Sequence, residues 1–414
     1  MTIREEAIKL HRENQGKLAV APKVPLANRH DLSIAYTPGV AEPCKDIKEN
    51  RDLSFELTCR GNMVAVVSDG TRVLGLGDIG PEAAMPVMEG KSVLFKVFAD
   101  VDAVPICLAT KDPEKIIETV KLLEPSFAGI NLEDLSSPKC YDIEDRLKAE
   151  MNIPVFHDDQ HGTAIAAVSA LIGALRFVKK ELATAKIVLN GAGAAGSAIG
   201  RLLVHMGARN LTVVDINGAL YDGMPGLNRI QAELAKNTNK EKRQGNLVEM
   251  IKGADAVLAV SAPGAITKEM IGTMASDPIV IAMANPVPEI SYADAKAAGA
   301  KVAGTGRSDA PNQVNNVNVF PGLFRGALDV RARQINEEMK IAATYALADL
   351  IPIDQLREDY VVADAFDPRV APAVAAAVAR AAMETGVARI KVDPEVVRER
   401  AAARIAAVRN RMKG

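Results

Sequence analysis

The chain has 414 residues, 48% of them hydrophobic, which is enough for two domains with a sizeable core. Its 50 Lys and Arg against 52 Asp and Glu leave a formal charge of -2, without the basic excess that nucleic acid or an anionic membrane requires, so a small-molecule partner is expected, with no nucleic acid and no membrane. Cys44, Cys59, Cys107 and Cys140 form no CxxC pair, which argues against a zinc ribbon, a redox dithiol or a secreted disulfide framework.

The first ten residues carry no signal-peptide core, and no later apolar run is long enough to span a bilayer, so an unprocessed cytoplasmic protein is expected. In chain order, residues 63–67, 73–76, 92–98 and 103–108 read as buried strands and 113–123 as a helix. The first part is therefore mixed α/β. A helix is predicted over 163–178, opened by Gly162 and Thr163 as cap residues, and a boundary is placed near Phe156. This divides the chain into a smaller mixed α/β N-terminal domain, 1–155, and a dinucleotide-binding domain, 156–414. In the second, strands at 186–189, 211–214, 256–260, 279–282 and 301–303 alternate with helical segments, as a doubly wound parallel sheet requires. The run KEKR at 240–243 reads as a solvated loop, and the Ala- and Arg-rich tail 364–414 as helices packed on the body near a subunit contact.

The glycine fingerprint GAGAAG comprises Gly191, Gly193, Ala194, Ala195 and Gly196 around Ala192, between a strand and a helix. Such glycines permit a tight turn, close approach of backbone to pyrophosphate and close helix packing, while the helix start offers free N–H groups to the anion. A second strand ends at Asp215, about 20 residues further on, as the dinucleotide pattern demands. A carboxylate there accepts from a ribose 2′-OH and repels a 2′-phosphate, which favours NAD over NADP. The run GLGDIG at 75–80 also fits GxGxxG, but Pro81 follows it and no acid-ended strand is placed after it. It is read as a loop of close backbone approach.

Glu133 and Asp134 end one apolar run, and Asp158 and Asp159 end another. Carboxylates at the carboxyl ends of strands point into the crevice where open sheets bind ligands. Three of the four together make an oxygen-rich site suited to Mg²⁺ or Mn²⁺ rather than zinc; the competing reading is loop acids and a helix cap. His157 and His161 have i, i+4 spacing, but Pro154 before them and Gly162 after them speak against the continuous helix that zinc ligation needs. They are expected to be satisfied or partly exposed histidines.

Further segments define a class. Tyr36 lies in AYTPGVAEP, Arg72 in SDGTRVLGLGDIG, Lys91 in PVMEGKSVLF, and Asn315 and Asn316 in NQVNNVNVFPG. With NLED at 131–134, FHDDQHGTA and MANPVPE, these resemble the malic enzymes, specifically the short prokaryotic form, in the expected order from about residue 34 to 324. The resemblance implies oxidative decarboxylation of malate to pyruvate with NAD or NADP. It implies a metal, Mg²⁺ or Mn²⁺, on Glu133, Asp134 and Asp159, with Asp158 beside Lys91. Lys91 would be the general base and Tyr36 the general acid. Asn285 and Asn316 would hold the substrate carboxylate or the nicotinamide side, and Arg72 would pair with a substrate carboxylate.

A lysine base must have its pKa brought from about 10 toward neutrality, which burial and a nearby cation both favour. Asp158 opposes this, so orientation or proton relay is its expected task. Competing readings are a malolactic-type lyase, whose chain is typically longer, another Rossmann dehydrogenase, and a non-catalytic nucleotide-binding module. The resemblance also implies a homo-oligomer, here a homodimer. Because Tyr36 and Lys91 lie far in sequence from the metal acids, one subunit is able in principle to complete its neighbour's site.

Overall fold

The computed structural model describes residues 2–73 and 75–412. Two parallel sheets organise the chain. The first is built from β1 (Met63–Ser68), β2 (Asp102–Cys107), β3 (Gly129–Leu132) and β4 (Val155–His157), in the order β2-β1-β3-β4. The second contains β5 (Lys186–Asn190), β6 (Asn210–Asp215), β7 (Gly218–Ala219), β8 (Ala256–Ala259), β9 (Ile279–Ala282) and β10 (Val302–Thr305), in the order β10-β9-β8-β5-β6-β7. All its pairings are parallel except that of the short β7. Chain order reverses at β5, which places the switch point of a doubly wound sheet directly above the glycine fingerprint.

Among the described residues, two expected strands are not seen. Residues 92–98 lie within the helix Pro81–Ala99, because the buried positions repeat at helical spacing: Ala84, Met88, Lys91, Ser92, Phe95 and Phe98 face inward. An apolar run alone did not distinguish the two. Of the expected strand at 73–76, Leu74 lies outside the described residues; Val73 makes only an isolated bridge to Gly77, and Gly70, Gly75 and Gly77 have positive φ. Gly75 approaches the other sheet: an added Cβ would lie 3.2 Å from Pro286 Cδ.

Helices α1 (Ile3–Asn14), α2 (Arg29–Ala35) and α3 (Ala41–Glu49) have no buried residue, and α4 (Ser54–Leu57) leads toward β1. The helix α5 (Pro81–Ala99) starts on Gly80 with Pro81 in its first turn. It is followed by α6 (Pro113–Leu122), α7 (Lys139–Glu150) and α8 (Asp158–Phe177). Helix α8 begins five residues before the expected Thr163 start, with His157 as N-cap, so Gly162 lies inside the helix rather than capping it. The expected division near Phe156 falls within β4. Almost wholly buried, α8 joins the two sheets and packs against α9 (Ala194–His205), the helix that the fingerprint opens.

The tail is helical at Val370–Glu384 and Pro394–Arg411. Both helices pack back on α5, and the ring of Phe320 lies 4.6 Å from that of Phe95, so the C-terminal part of the chain closes the core beneath Lys91. No described helix is long and apolar enough to cross a membrane.

Candidate active site

The strands of the first sheet deliver the acids. Glu133 and Asp134 follow β3, and Asp158 and Asp159 open α8 immediately after β4. Because β3 and β4 are parallel neighbours, both pairs emerge at the same edge. Lys91 reaches them from α5: its Nζ lies 2.6 Å from Asp158 Oδ2 and 2.8 Å from Glu133 Oε1. The same ammonium sits 4.2 Å from the centre of the Phe320 ring, a cation–π contact that closes its apolar side. Lys91, Glu133 and Asp158 are all buried. They come from one chain, so the lysine and the acids need no neighbour to meet.

Several neighbours hold these groups. Asn131 Nδ2 donates to Glu133 Oε2 at 2.8 Å, and Asn316 Nδ2 donates to Asp158 Oδ2. Gly162 makes room for Asp158, since an added Cβ there would lie 1.9 Å from Asp158 Oδ1. Asp134 has φ 56, a left-handed backbone that turns its N–H toward Asp159 Oδ2 at 2.7 Å. The backbone N–H of Arg72 donates to the Asp134 carbonyl at 3.0 Å, while the Arg72 side chain is exposed.

Charge crowding dominates the electrostatics. Burial, then the charges of Asp159 and Glu133, push the Asp134 carboxyl up to about 9. Burial also raises Glu133, against the pull of Lys91 and with further push from Asp159. Asp158 is raised to about 6 by burial, although Lys91 lowers it. For Lys91 itself burial favours the neutral amine, but Asp158 and Glu133 outweigh burial and hold the pKa above the ordinary lysine range. The downward direction anticipated from a buried lysine is therefore reversed here, because both of its polar contacts are anions.

Among the described residues, no three His, Cys, Asp or Glu side chains already close around one metal-sized point. The donor set nevertheless fits a hard divalent cation: it is all oxygen, carboxylates raise one another's pKa, and Asp158 Oδ1 is buried without a hydrogen-bond partner.

Glu144 on α7 carries no signal in the sequence, yet it organises the turn that bears Asp158 and Asp159. Fully inside the protein, its carboxylate accepts from the His157 backbone N–H at 3.2 Å, from Gln160 Nε2 at 3.0 Å and from His161 Nε2 at 2.9 Å. Burial disfavours its charge, but His161 and Lys148 more than offset this and hold it well below the usual carboxylate range. His161 is thus a satisfied histidine. His157 is not: it is buried with neither ring nitrogen in a hydrogen bond among the described residues, its Nδ1 lying 3.8 Å from Asp159 Oδ2.

In the second sheet the fingerprint has the geometry its glycines predict. Gly191 has φ 112, and an added Cβ would lie 2.7 Å from the Val260 carbonyl; at Gly196 it would lie 1.8 Å from the Gly191 carbonyl. Gly193, the N-cap of α9, meets nothing within 4 Å and leaves the helix start open beside Ala194 and Ala195. Asp215 ends β6 and accepts from the Asn217 N–H at 2.9 Å and from Gln231 Nε2 at 3.1 Å. Asn285 lies half-buried after β9, its Nδ2 3.4 Å from the Met283 carbonyl.

Tyr36 stands apart. It caps the end of α2 at 67% exposure, while the groups around Lys91 Nζ are Glu133, Asp158 and Phe320.

The family profile described as malic enzyme, N-terminal domain, matches residues 15–148, and that described as malic enzyme, NAD binding domain, matches 160–383. A bifunctional malic/malolactic enzyme of Bacillus subtilis is 62% identical over 401 residues, covering 97% of this chain and 98% of that protein. An NAD-dependent malic enzyme of Geobacillus stearothermophilus is 54% identical over 374 residues, covering 90% of this chain and 78% of that protein. The crystal structure of malic enzyme from Pyrococcus horikoshii superposes with a TM-score of 0.96 at 46% identity, covering 99% of this chain and 97% of that one. With both profiles in chain order and most residues shared with a relative of nearly the same length, the chain belongs to the malic enzyme family.

Proposed function

We propose that the chain catalyses the oxidative decarboxylation of L-malate to pyruvate and CO₂ with a nicotinamide cofactor. The observation that carries this reading is the buried Lys91, held between Asp158 and Glu133 at the carboxyl edge of one sheet, with Asn316 reaching Asp158 from the segment that follows the other sheet. Glu133, Asp134 and Asp159 would hold a divalent cation, Mg²⁺ or Mn²⁺, and the turn at Gly191, Gly193 and Gly196 would hold the cofactor pyrophosphate. When bound, the metal supplies Lewis acidity at the substrate oxygens and positive charge beside Lys91, and the nicotinamide accepts hydride.

The chain's own residues do the rest. Lys91 would remove the C2 hydroxyl proton in its amine form, which Asp158 and Glu133 oppose until a bound cation shares their charge; Asp158, itself held by Asn316, fixes the direction of its Nζ. Tyr36 protonates C3 after CO₂ has left. Arg72, Asn285 and Asn316 orient substrate carboxylate and the nicotinamide side, and burial of Lys91 keeps bulk water from competing for its proton. Asp215 at the end of β6 supports NAD over NADP through its repulsion of a 2′-phosphate.

A second reading has support in the 62%-identical relative that is named a bifunctional malic/malolactic enzyme. Chain length does not argue against it, since this chain covers 98% of that protein. Absorbance at 340 nm with malate, each cofactor, and metal present or chelated tests both: net NADH or NADPH with pyruvate supports the first, and lactate without net reduced cofactor the second. We assign the protein to the cytoplasm on its four unpaired cysteines, and a homodimer on the family resemblance and the uncovered N-terminal helices.

A further inference from the structure

Beyond Asn285, on the loop that follows β9, the side chain of Glu289 is completely buried. Its Oε1 accepts from the Ser261 backbone N–H at 2.5 Å and from the Ser261 hydroxyl at 3.2 Å, and its Oε2 accepts from the Ala284 backbone N–H at 3.0 Å. These donors are neutral. They satisfy a carboxylate that burial would otherwise penalise, so moving any one of them leaves charge without its hydrogen bond. Ser261 Oγ in turn accepts from Asn190 Nδ2 at 2.8 Å. The direction is consistent along the chain of bonds: the Asn190 amide donates to the Ser261 hydroxyl, whose own proton goes to Glu289.

The three tied segments lie side by side. Asn190 ends β5, Ser261 follows β8 and Ala284 follows β9, and these strands are parallel neighbours in the order β9-β8-β5. The bonds therefore form a cross-tie along the carboxyl ends of the strands, at the crevice where an open sheet binds its ligand. One end of the tie adjoins Gly191 of the glycine turn, and the other carries Asn285. Ser261 is exposed at the crevice, whereas Glu289 lies behind it. Asn285 and Pro286 are hemmed in on two further sides: an added Cβ at Gly306 would lie 2.8 Å from Asn285 Nδ2, and one at Gly75 would lie 3.2 Å from Pro286 Cδ. With little room sideways, the place of Asn285 is set by the residue before it, Ala284, and so by Glu289.

We propose that Glu289 is the positioning residue of the nicotinamide side of the site. Through Ala284 it sets Asn285, and through Ser261 and Asn190 it fixes that segment against the glycine turn that receives the pyrophosphate. The inference rests on the reading of Asn285 as a group that holds substrate or nicotinamide. A carboxylate is required because both oxygens accept. An amide offers one acceptor and one donor group, and the donor would face either the Ser261 or the Ala284 N–H.

The test compares full-length Glu289→Gln, Ser261→Ala and Asn285→Ala chains. Calorimetry gives the affinity for ADP-ribose, which carries the pyrophosphate without the nicotinamide; steady-state assays give kcat and KM for malate; and malate deuterated at C2 gives the isotope effect on kcat, which reports hydride transfer. Glu289→Gln is expected to keep its ADP-ribose affinity, lose about 10²-fold in kcat and show a larger isotope effect, because misplaced groups slow the hydride step. Ser261→Ala removes one link of the tie and should move kcat and the isotope effect in the same direction by less; it carries the test if Glu289→Gln does not fold. Wild-type kcat and isotope effect in both variants overturn the inference. So does a fall in ADP-ribose affinity in step with kcat, which would assign Glu289 to the fold alone. A defective Glu289→Gln beside a silent Asn285→Ala would overturn the reading of Asn285 and support positioning through Ser261; a silent Glu289→Gln beside a defective Asn285→Ala would overturn the inference and leave that reading standing.

Discussion

Lys91 Nζ lies 2.6 Å from Asp158 Oδ2, a buried ion pair that joins a helix of the first sheet to the first residue of the helix leading to the second. The pair depends on a hydrogen atom in place of a side chain, because Gly162 leaves the space into which Asp158 Oδ1 projects. Gly162→Ala should therefore displace Asp158 while leaving every polar group present. We expect turnover to fall by about 10²-fold, approaching the effect of Asp158→Asn, with cofactor affinity unchanged. Steady-state kinetics at 340 nm alongside NADH fluorescence titration measures both quantities; wild-type turnover in Gly162→Ala would refute the dependence.

Glu144 touches no reacting group but holds the backbone of His157 and the side chains of Gln160 and His161 on either side of Asp158 and Asp159. Loss of one such supporting contact at a metal site typically costs about 10- to 100-fold in metal affinity. Glu144→Gln should show that loss in Mn²⁺ titrations followed by calorimetry, with turnover partly restored at saturating metal. An unchanged Mn²⁺ affinity would assign Glu144 to fold stability alone.

Asp215 should set the cofactor ratio. Replacing it by serine removes the charge that opposes a 2′-phosphate and the acceptor for a ribose hydroxyl, so catalytic efficiency with NAD should fall by about 10-fold and that with NADP should rise. The ratio of kcat/KM values is the readout. A ratio unmoved by Asp215→Ser would place the specificity elsewhere.

Asp102 links stability to pH. Burial raises its pKa, but hydrogen bonds from Lys96, Asn62 and Lys23 outweigh burial and hold it at about 2, below the ordinary 3.8. Its folded-state value is depressed, so the unfolded chain binds more protons between those values; the stabilisation is complete above the unfolded pKa and is lost as pH falls through about 2. Asp102→Asn should cost about 1 kcal/mol at neutral pH after allowance for solvent screening, and little near pH 2. Urea unfolding at a series of pH values would show the two curves converging at the acid end; parallel curves would refute the linkage.

The sequence by itself determined what depends on local pattern. Alternation of strand and helix after residue 186, the glycine turn at 191–196 and the acid-ended strand at Asp215 were all legible, because backbone conformation and anion binding at a helix start are dictated over a few neighbouring residues. The acids after β3 and β4 were legible for the same reason, each ending an apolar run. One apolar segment was misread where burial period, not hydrophobicity, decides, since 92–98 joined α5; beside Val73, the positive φ of Gly75 and Gly77 bends the described backbone out of a strand. Tertiary structure alone decided the rest. Only the parallel pairing of β3 with β4 brings Glu133 and Asp158 to one ammonium, only the return of α7 puts Glu144 behind the turn that bears Asp158, and only the tertiary course of the chain leaves Tyr36 exposed and away from Lys91. These are contacts between residues tens of positions apart, and the geometry of such contacts is set by how sheets and helices pack.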